Sequence, residues 1–357
     1  MSSPTRPKIR VLIVDDSAFM RTAIARLISS DERFAVVGQA RDGYEAVQLA
    51  QALDPDVITM DFNMPGMNGA DATRAILSER PRPIVMLSAH TRQGAVETME
   101  ALTAGAVDFV PKPAGEVSAS LSAVRETLLS KLALVASANL APATRIDGSK
   151  RPRPAGGSAP RHARPPAAVP AGPRVLVLAS STGGPAALVR VLSQLKLAKK
   201  AAVILVQHMP QGFTEALALQ LAERAPFPVR EARAGDRLEP GVALLAPGGS
   251  HLVVERSGAV ALRDGPPVHG VKPAADVTLR SVAEVYGARS IGVVLTGMGR
   301  DGALGLAAIK AAGGRTAAQD RASSIVYGMP RAALELGVVE DVVALDHMGS
   351  YLSQLLN

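Results

Sequence analysis

Six short apolar runs set the fold class of this chain. They lie at residues 9–14, 57–60, 84–87, 175–179, 202–207 and 291–295, and each stops at a polar or charged residue. Such runs suit strands buried on both faces, and helical patterns at 18–28, 121–135, 186–195, 212–224 and 302–312 alternate with them. Repeated strand–helix alternation needs crossover connections, which give parallel sheets covered by helices. The expectation is therefore α/β.

The alternation is interrupted once. Residues 141–173 hold eight prolines and almost no large apolar side chains. Proline removes an amide donor, and a segment this poor in apolar surface cannot build a core. With 357 residues, at roughly 100–200 per domain, this predicts two domains, 1–137 and 174–357, joined by a flexible linker over 138–173. Charge follows the same division. The net charge of +7 separates into −2 for residues 1–137, +5 for 138–173 and +4 for 174–357. The excess is a property of the linker more than of a folded surface, which argues against a nucleic-acid reader. The absence of cysteine excludes disulfides, thiolate metal sites and a cysteine nucleophile, and it suits a reducing cytoplasm. Near the start, Asp15 and Asp16 interrupt the apolar run after Val14, so no secretory signal is expected there.

Open parallel sheets bind ligands beyond the carboxyl ends of their strands. In the first domain those ends carry Asp15, Asp16, Asp61, Ser88 and Lys112. An aspartate at a strand end often caps a helix, but three converging carboxylates repel one another unless a hard cation such as Mg²⁺ lies between them. Asp61 as phosphoryl acceptor, Mg²⁺ against developing charge, Lys112 on the phosphoryl group and Ser88 as a donor to it make one chemical set. The motifs Val14-Asp15-Asp16-Ser17, Met60-Asp61-Phe62-Asn63-Met64-Pro65-Gly66-Met67-Asn68-Gly69 and Lys112-Pro113 resemble a response-regulator receiver over residues 8–135. The resemblance implies a flavodoxin-like five-stranded parallel sheet and phosphorylation at Asp61. It also implies Asp16 and the Asn63 carbonyl as further metal ligands, and an aromatic switch at Phe109. Asn68 stands where receivers often have Asp.

In the second domain the run 175–179 leads into Ser180-Ser181-Thr182-Gly183-Gly184-Pro185. A Gly-rich turn opening a helix either binds phosphate through its amides or exposes a serine nucleophile on a sharp corner. No lysine follows the glycines as in a P-loop. The run 202–207 ends at His208, a base for such a serine, with His251 as its rival. His90 falls in the first domain, His162 in the linker, and His269 and His347 follow no clear strand. Asp301, beyond 291–295, is the acid that would orient the imidazole, unless it caps the next helix; Asp276 is the alternative. The order Ser, His, Asp differs from that of α/β-hydrolases.

Residues 174–350 resemble the catalytic domain of chemotaxis receptor methylesterases. The likeness rests on Ser181-Thr182-Gly183-Gly184, Val206-Gln207-His208-Met209-Pro210 and Leu295-Thr296-Gly297-Met298-Gly299-Arg300-Asp301-Gly302. It implies a doubly wound, mostly parallel α/β domain with Ser181 as nucleophile, His208 as base and Asp301 as orienting acid. The amides of Thr182 and Met298 become oxyanion donors. Ala179 stands where the family commonly has Gly. The implied activity is demethylation and deamidation of receptor glutamyl side chains, controlled by phosphorylation. The hydrolase needs no cofactor; the implied partners are methyl-accepting chemotaxis receptors and a histidine kinase. The implied location is cytoplasmic, reaching the membrane only through receptors. A DNA-binding regulator lacks a helix-turn-helix after the linker, and a non-catalytic adaptor would not need all three triad residues.

Overall fold

The computed structural model describes residues 7–89, 91–112, 118–136, 138, 172–197 and 201–356. The chain divides into two compact units, Met1–Thr144 and Arg145–Asn357. The linker expected over 138–173 lies outside the described residues apart from 138, 172 and 173, as do His90 and His162.

In the first unit, strands β1 (Ile9–Val14), β2 (Phe34–Ala40), β3 (Val57–Asp61), β4 (Ile84–Ser88) and β5 (Asp108–Pro111) alternate with helices. These are α1 (Ala18–Ser29), α2 (Gly43–Leu53), α3 (Gly69–Glu79), α4 (Arg92–Thr103) and α5 (Ser118–Val135). The strands form a parallel sheet in the order β2-β1-β3-β4-β5. The chain leaves β1 for one edge and returns to β3 on the other side, so the crevice between those two carboxyl ends is the switch point of the topology. Polar side chains start the helices: Ser17, Asp42, Asn68 and Thr91 each accept an amide of the first turn. Asn68 thus fills its unusual position as the cap of α3.

The second unit is built on a seven-stranded parallel sheet, β14-β13-β12-β6-β7-β9-β8. Its strands are β6 (Arg174–Ser180), β7 (Ala201–Gln207), β8 (Val229–Glu231), β9 (Ala243–Leu245), β12 (Ser290–Val294), β13 (Arg315–Gln319) and β14 (Asp341–Val343). A separate antiparallel pair joins β10 (His251–Val254) to β11 (Val260–Arg263). Helix α6 (Gly184–Gln194) packs between α7 (Phe213–Arg224) and α11 (Leu345–Leu356). Helix α9 (Ala303–Ala311) packs between α8 (Ala275–Tyr286) and α10 (Met329–Glu335). These two groups form the helical layers of a doubly wound sheet. β6 and β7 are apolar along most of their length and, apart from Arg174, buried throughout, as strands covered on both faces must be. The chain runs from β6 towards β7, then crosses back to place β12 on the other side of β6. The β6/β12 crevice is the switch point here. No helix among the described residues is long and apolar enough to cross a membrane.

Candidate functional site

At the first switch point, Asp15 and Asp61 are buried while Asp16 is exposed. One oxygen of each lies within 4.8 Å of the others. Lys112 Nζ sits 2.8 Å from both Asp15 Oδ2 and Asp61 Oδ2. One ammonium faces three carboxylates, so the donor set fits a hard divalent cation. Burial pushes the Asp61 carboxyl above its ordinary value; Lys112 opposes the rise and Asp15 adds to it. Burial works against the Lys112 ammonium, but its bonds to Asp15 and Asp61 outweigh that and raise its affinity for the proton.

Ser88 ends β4 with its hydroxyl buried. It donates towards the Ala89 and Gly94 carbonyls at 3.2 and 3.1 Å and accepts from Thr98 Oγ1 at 2.6 Å. Sequence reasoning missed Thr98, a mid-helix residue that marks itself by no motif. Phe109 is buried with Lys131 Nζ 5.4 Å from its ring centre. The Asn63 side chain donates to Glu97 Oε2 at 2.8 Å.

At the second switch point the β6–β7 ladder continues into the His208 amide, which donates to the Ser180 carbonyl at 3.0 Å. Ser181 and His208 therefore leave adjacent strand ends side by side. The turn after β6 is clamped from below by buried Gln207. Its Oε1 accepts from Ser180 Oγ at 2.7 Å, and its Nε2 donates to the carbonyls of Ser181 and His208 at 2.9 and 3.2 Å. A Cβ on Gly184 would lie 2.0 Å from Gln207 Oε1, so only glycine allows this approach. From the β12 side, the Thr296 carbonyl accepts the Ser181 amide at 3.1 Å, and Thr296 Oγ1 donates to the Thr182 carbonyl at 3.0 Å. A Cβ on Gly297 would come within 2.8 Å of Ser181 Cβ. Ser181 is held between two turns. Gln207 and Thr296 stood inside the motifs without being assigned a part, because their work is done by amide and hydroxyl groups aimed at backbone.

His208 Nε2 lies 2.7 Å from Asp301 Oδ2, with both side chains buried to within 7% and 2% exposure. Asp301 does not cap α9, whose N-cap is Gly302. Its Oδ2 accepts the Ala275 amide at 2.6 Å and its Oδ1 the Asp276 amide at 2.9 Å, both at the start of α8; the Gly302 amide adds a bond at 3.0 Å. Burial opposes ionisation of Asp301, but the His208 bond and the α8 amides prevail and hold its carboxyl below the usual range. With Asp301 accepting from Nε2–H, Nδ1 is the imidazole nitrogen whose lone pair is free of the carboxylate.

The rivals have other partners. His251 Nε2 lies 3.1 Å from the Pro266 carbonyl, and its Nδ1 accepts the Ala274 amide at 3.2 Å. His347 is exposed on α11. Asp276 pairs with His269 at 2.9 Å. Thr182 is buried, and Met298, 44% exposed, occupies the turn that touches Ser181. Ala179 is a fully buried strand residue whose carbonyl accepts the Leu295 amide at 2.8 Å; its methyl lies in the core.

Comparison with known proteins identifies relatives of both units. The family model "CheB methylesterase" matches residues 176–352, and "Response regulator receiver domain" matches 11–122. A protein-glutamate methylesterase/protein-glutamine glutaminase of Symbiobacterium thermophilum is 43% identical over 99% of this chain and 99% of its own. One of the same description from Pyrococcus abyssi is 43% identical over 96% and 92%. The crystal structure of the Thermotoga maritima CheB methylesterase catalytic domain is 36% identical, covering 52% of this chain and all of its own, with a TM-score of 0.49.

Proposed function

The chain belongs to the CheB methylesterase family, and on that premise we propose that it hydrolyses glutamyl methyl esters and glutamine amides of chemotaxis receptors under phosphorylation control. The observation that supports this reading is that Ser181 and His208 follow adjacent strand ends and His208 meets Asp301, which accepts the amides at the start of α8.

Ser181 Oγ attacks the ester carbonyl while His208 takes its proton; the amides of Thr182 and Met298 receive the oxyanion. His208 then protonates the departing methanol, or ammonia from a glutamine. Water, deprotonated by the same imidazole, attacks the glutamyl-enzyme and frees Ser181. Asp301 orients the ring and stabilises the imidazolium. This chemistry requires no further cofactor.

In the receiver, Asp15, Asp16, Asp61 and the Asn63 carbonyl would hold Mg²⁺, which would supply positive charge against that of the incoming phosphoryl group. Asp61 is the acceptor, Lys112 pairs with the phosphoryl group, and Ser88 and Phe109 respond to it. A histidine kinase is the phosphodonor, and the enzyme works in the cytoplasm on receptors, with residues 138–173 as the tether between domains. Phosphorylation raises activity by shifting the receiver towards a state in which the hydrolase is active.

A fluorophosphonate probe tests the central assignment. Labelling is expected at Ser181, lost in Ser181→Ala and slowed in His208→Gln. Labelling at another serine, or equal labelling of all three proteins, would overturn it.

A further inference from the structure

Behind the catalytic acid lies a second histidine–carboxylate pair that the mechanism above does not use. Val268 and Val271 exchange both main-chain hydrogen bonds at 3.1 Å, and His269 and Gly270 between them have φ of +54° and +77°. That is a two-residue turn of the kind that requires positive φ at both central positions, which His tolerates better than most side chains. The loop carrying it is fixed at its base. His251 reaches from β10 to the Pro266 carbonyl and the Ala274 amide, and Lys272 Nζ bonds Asp264 Oδ1 and the Gly265 carbonyl at 2.8 and 3.1 Å. The turn therefore delivers the His269 imidazole to a set position, where Nε2 meets Asp276 Oδ2 at 2.9 Å.

Asp276 is fully buried at the start of α8. Its Oδ1 accepts the Gly305 amide of α9 at 2.6 Å, and its own amide donates to Asp301 Oδ1 at 2.9 Å. One residue thus fixes the catalytic carboxylate through its main chain and ties the helix behind it to α9 through its side chain. A buried carboxylate needs hydrogen-bond partners for both oxygens, and the His269 ring, 28% exposed, meets Oδ2. The ligand atoms of His269, Asp276 and Asp301 lie within 4.8 Å of one another. This is not a metal centre, because both oxygens of Asp301 and one of Asp276 are already taken by main-chain amides.

We propose that His269 and Asp276 are positioning residues of the triad: the pair holds the start of α8 so that the Ala275 and Asp276 amides keep Asp301 aimed at His208. The proposal rests on the Ser181–His208–Asp301 reading. His269 bonds Asp276 rather than His208, so the proposal places its effect on turnover rather than on substrate binding.

The test uses the full-length protein, with methanol release from membranes bearing methylated receptors as the activity. His269→Asn keeps a residue suited to positive φ but shortens its reach; His269→Gly opens a space at the partly exposed site that added imidazole can enter. Both variants are expected to lose roughly tenfold in kcat, less than the ~10²-fold that an ångström of misplacement costs, with KM changed by less than about twofold. Imidazole should restore His269→Gly in part while leaving wild type and Ser181→Ala unchanged. The downfield proton resonance of His208 Nε2–H should move in both variants, a readout that needs no turnover. Unchanged kcat with an unmoved resonance would overturn the proposal. So would a rise in KM alone, which makes the loop a substrate contact, or a kcat loss that imidazole does not relieve and the His208 resonance does not register. Absence of Ser181-dependent turnover in wild type would instead sink the esterase reading, and the resonance would still report on the pair.

Discussion

His208 Nε2 and Asp301 Oδ2 stand 2.7 Å apart, and the amide of Ala275 meets the same oxygen at 2.6 Å. In the serine-protease arrangement it is Nδ1–H that faces the aspartate. Here Nε2 faces the carboxylate instead, which leaves Nδ1 as the nitrogen for the base of the proposed triad. His208 leaves β7 beside the end of β6, while Asp301 follows β12 on the far side of β6.

Replacing Asp301 by asparagine puts an NH₂ group where the carboxylate now receives four donors. Whichever way the amide turns, one N–H opposes another. The expected loss in kcat is about 10³- to 10⁴-fold, as for removal of a triad carboxylate, with KM little changed. Steady-state methanol release measures it. A loss below tenfold would mean that Asp301 does not orient the base.

The same residue gives the stability of the catalytic unit a pH signature. The Asp301 carboxyl is held below its ordinary value, so its contribution is present above the unfolded value of about 3.9 and disappears as pH falls through the lowered folded value. Chemical denaturation of wild type and Asp301→Asn should differ most near neutral pH and converge in acid. A gap that widens in acid would contradict this.

Asp61 carries the opposite sign. Burial raises its folded value, so its contribution is complete below the unfolded value and is lost as pH rises through the folded one. At pH 7, without metal, Asp61→Asn should therefore unfold at a higher temperature than wild type. Mg²⁺ should reverse the order: at ten times its dissociation constant it stabilises the binding protein by about 1.4 kcal/mol, and the variant far less. Calorimetry with and without Mg²⁺ checks both halves.

Thr98 Oγ1 lies 2.6 Å from both Ser88 Oγ and the Gly94 carbonyl, with its one proton to share between them. Thr98→Val removes the hydroxyl at nearly constant shape and leaves Ser88 its bond to Gly94. A less engaged Ser88 should respond to less phosphoryl group. The acetyl phosphate concentration for half-maximal activation is expected to fall severalfold; an unchanged or higher value would remove Thr98 from the switch.

Much of the architecture was legible in the residues. The runs that became β1, β3, β4, β6, β7 and β12 are mostly apolar, and their carboxyl ends carry polar groups, so one topological rule picked out Asp15, Asp61, Ser181 and His208 as candidates. β2 was less visible because it is only partly buried, and β8, β9 and β14 because three residues give no period. Asp301 raised the opposite difficulty, since its position read equally as a helix cap. It does serve helix amides, but those of α8 rather than of the helix that follows it. That contact joins segments 26 residues apart, which local pattern cannot show. Gln207 and Thr296 were missed for the same reason, their partners lying 26 and 114 residues away, whereas Thr98 sits in no motif.

The most direct measurement is methanol release from methylated receptor membranes by wild type and Ser181→Ala, each with and without acetyl phosphate. Release that requires Ser181 and rises with the phosphodonor is the predicted result. No release by folded wild-type protein with Asp61 phosphorylated, or equal release by Ser181→Ala, would contradict the account.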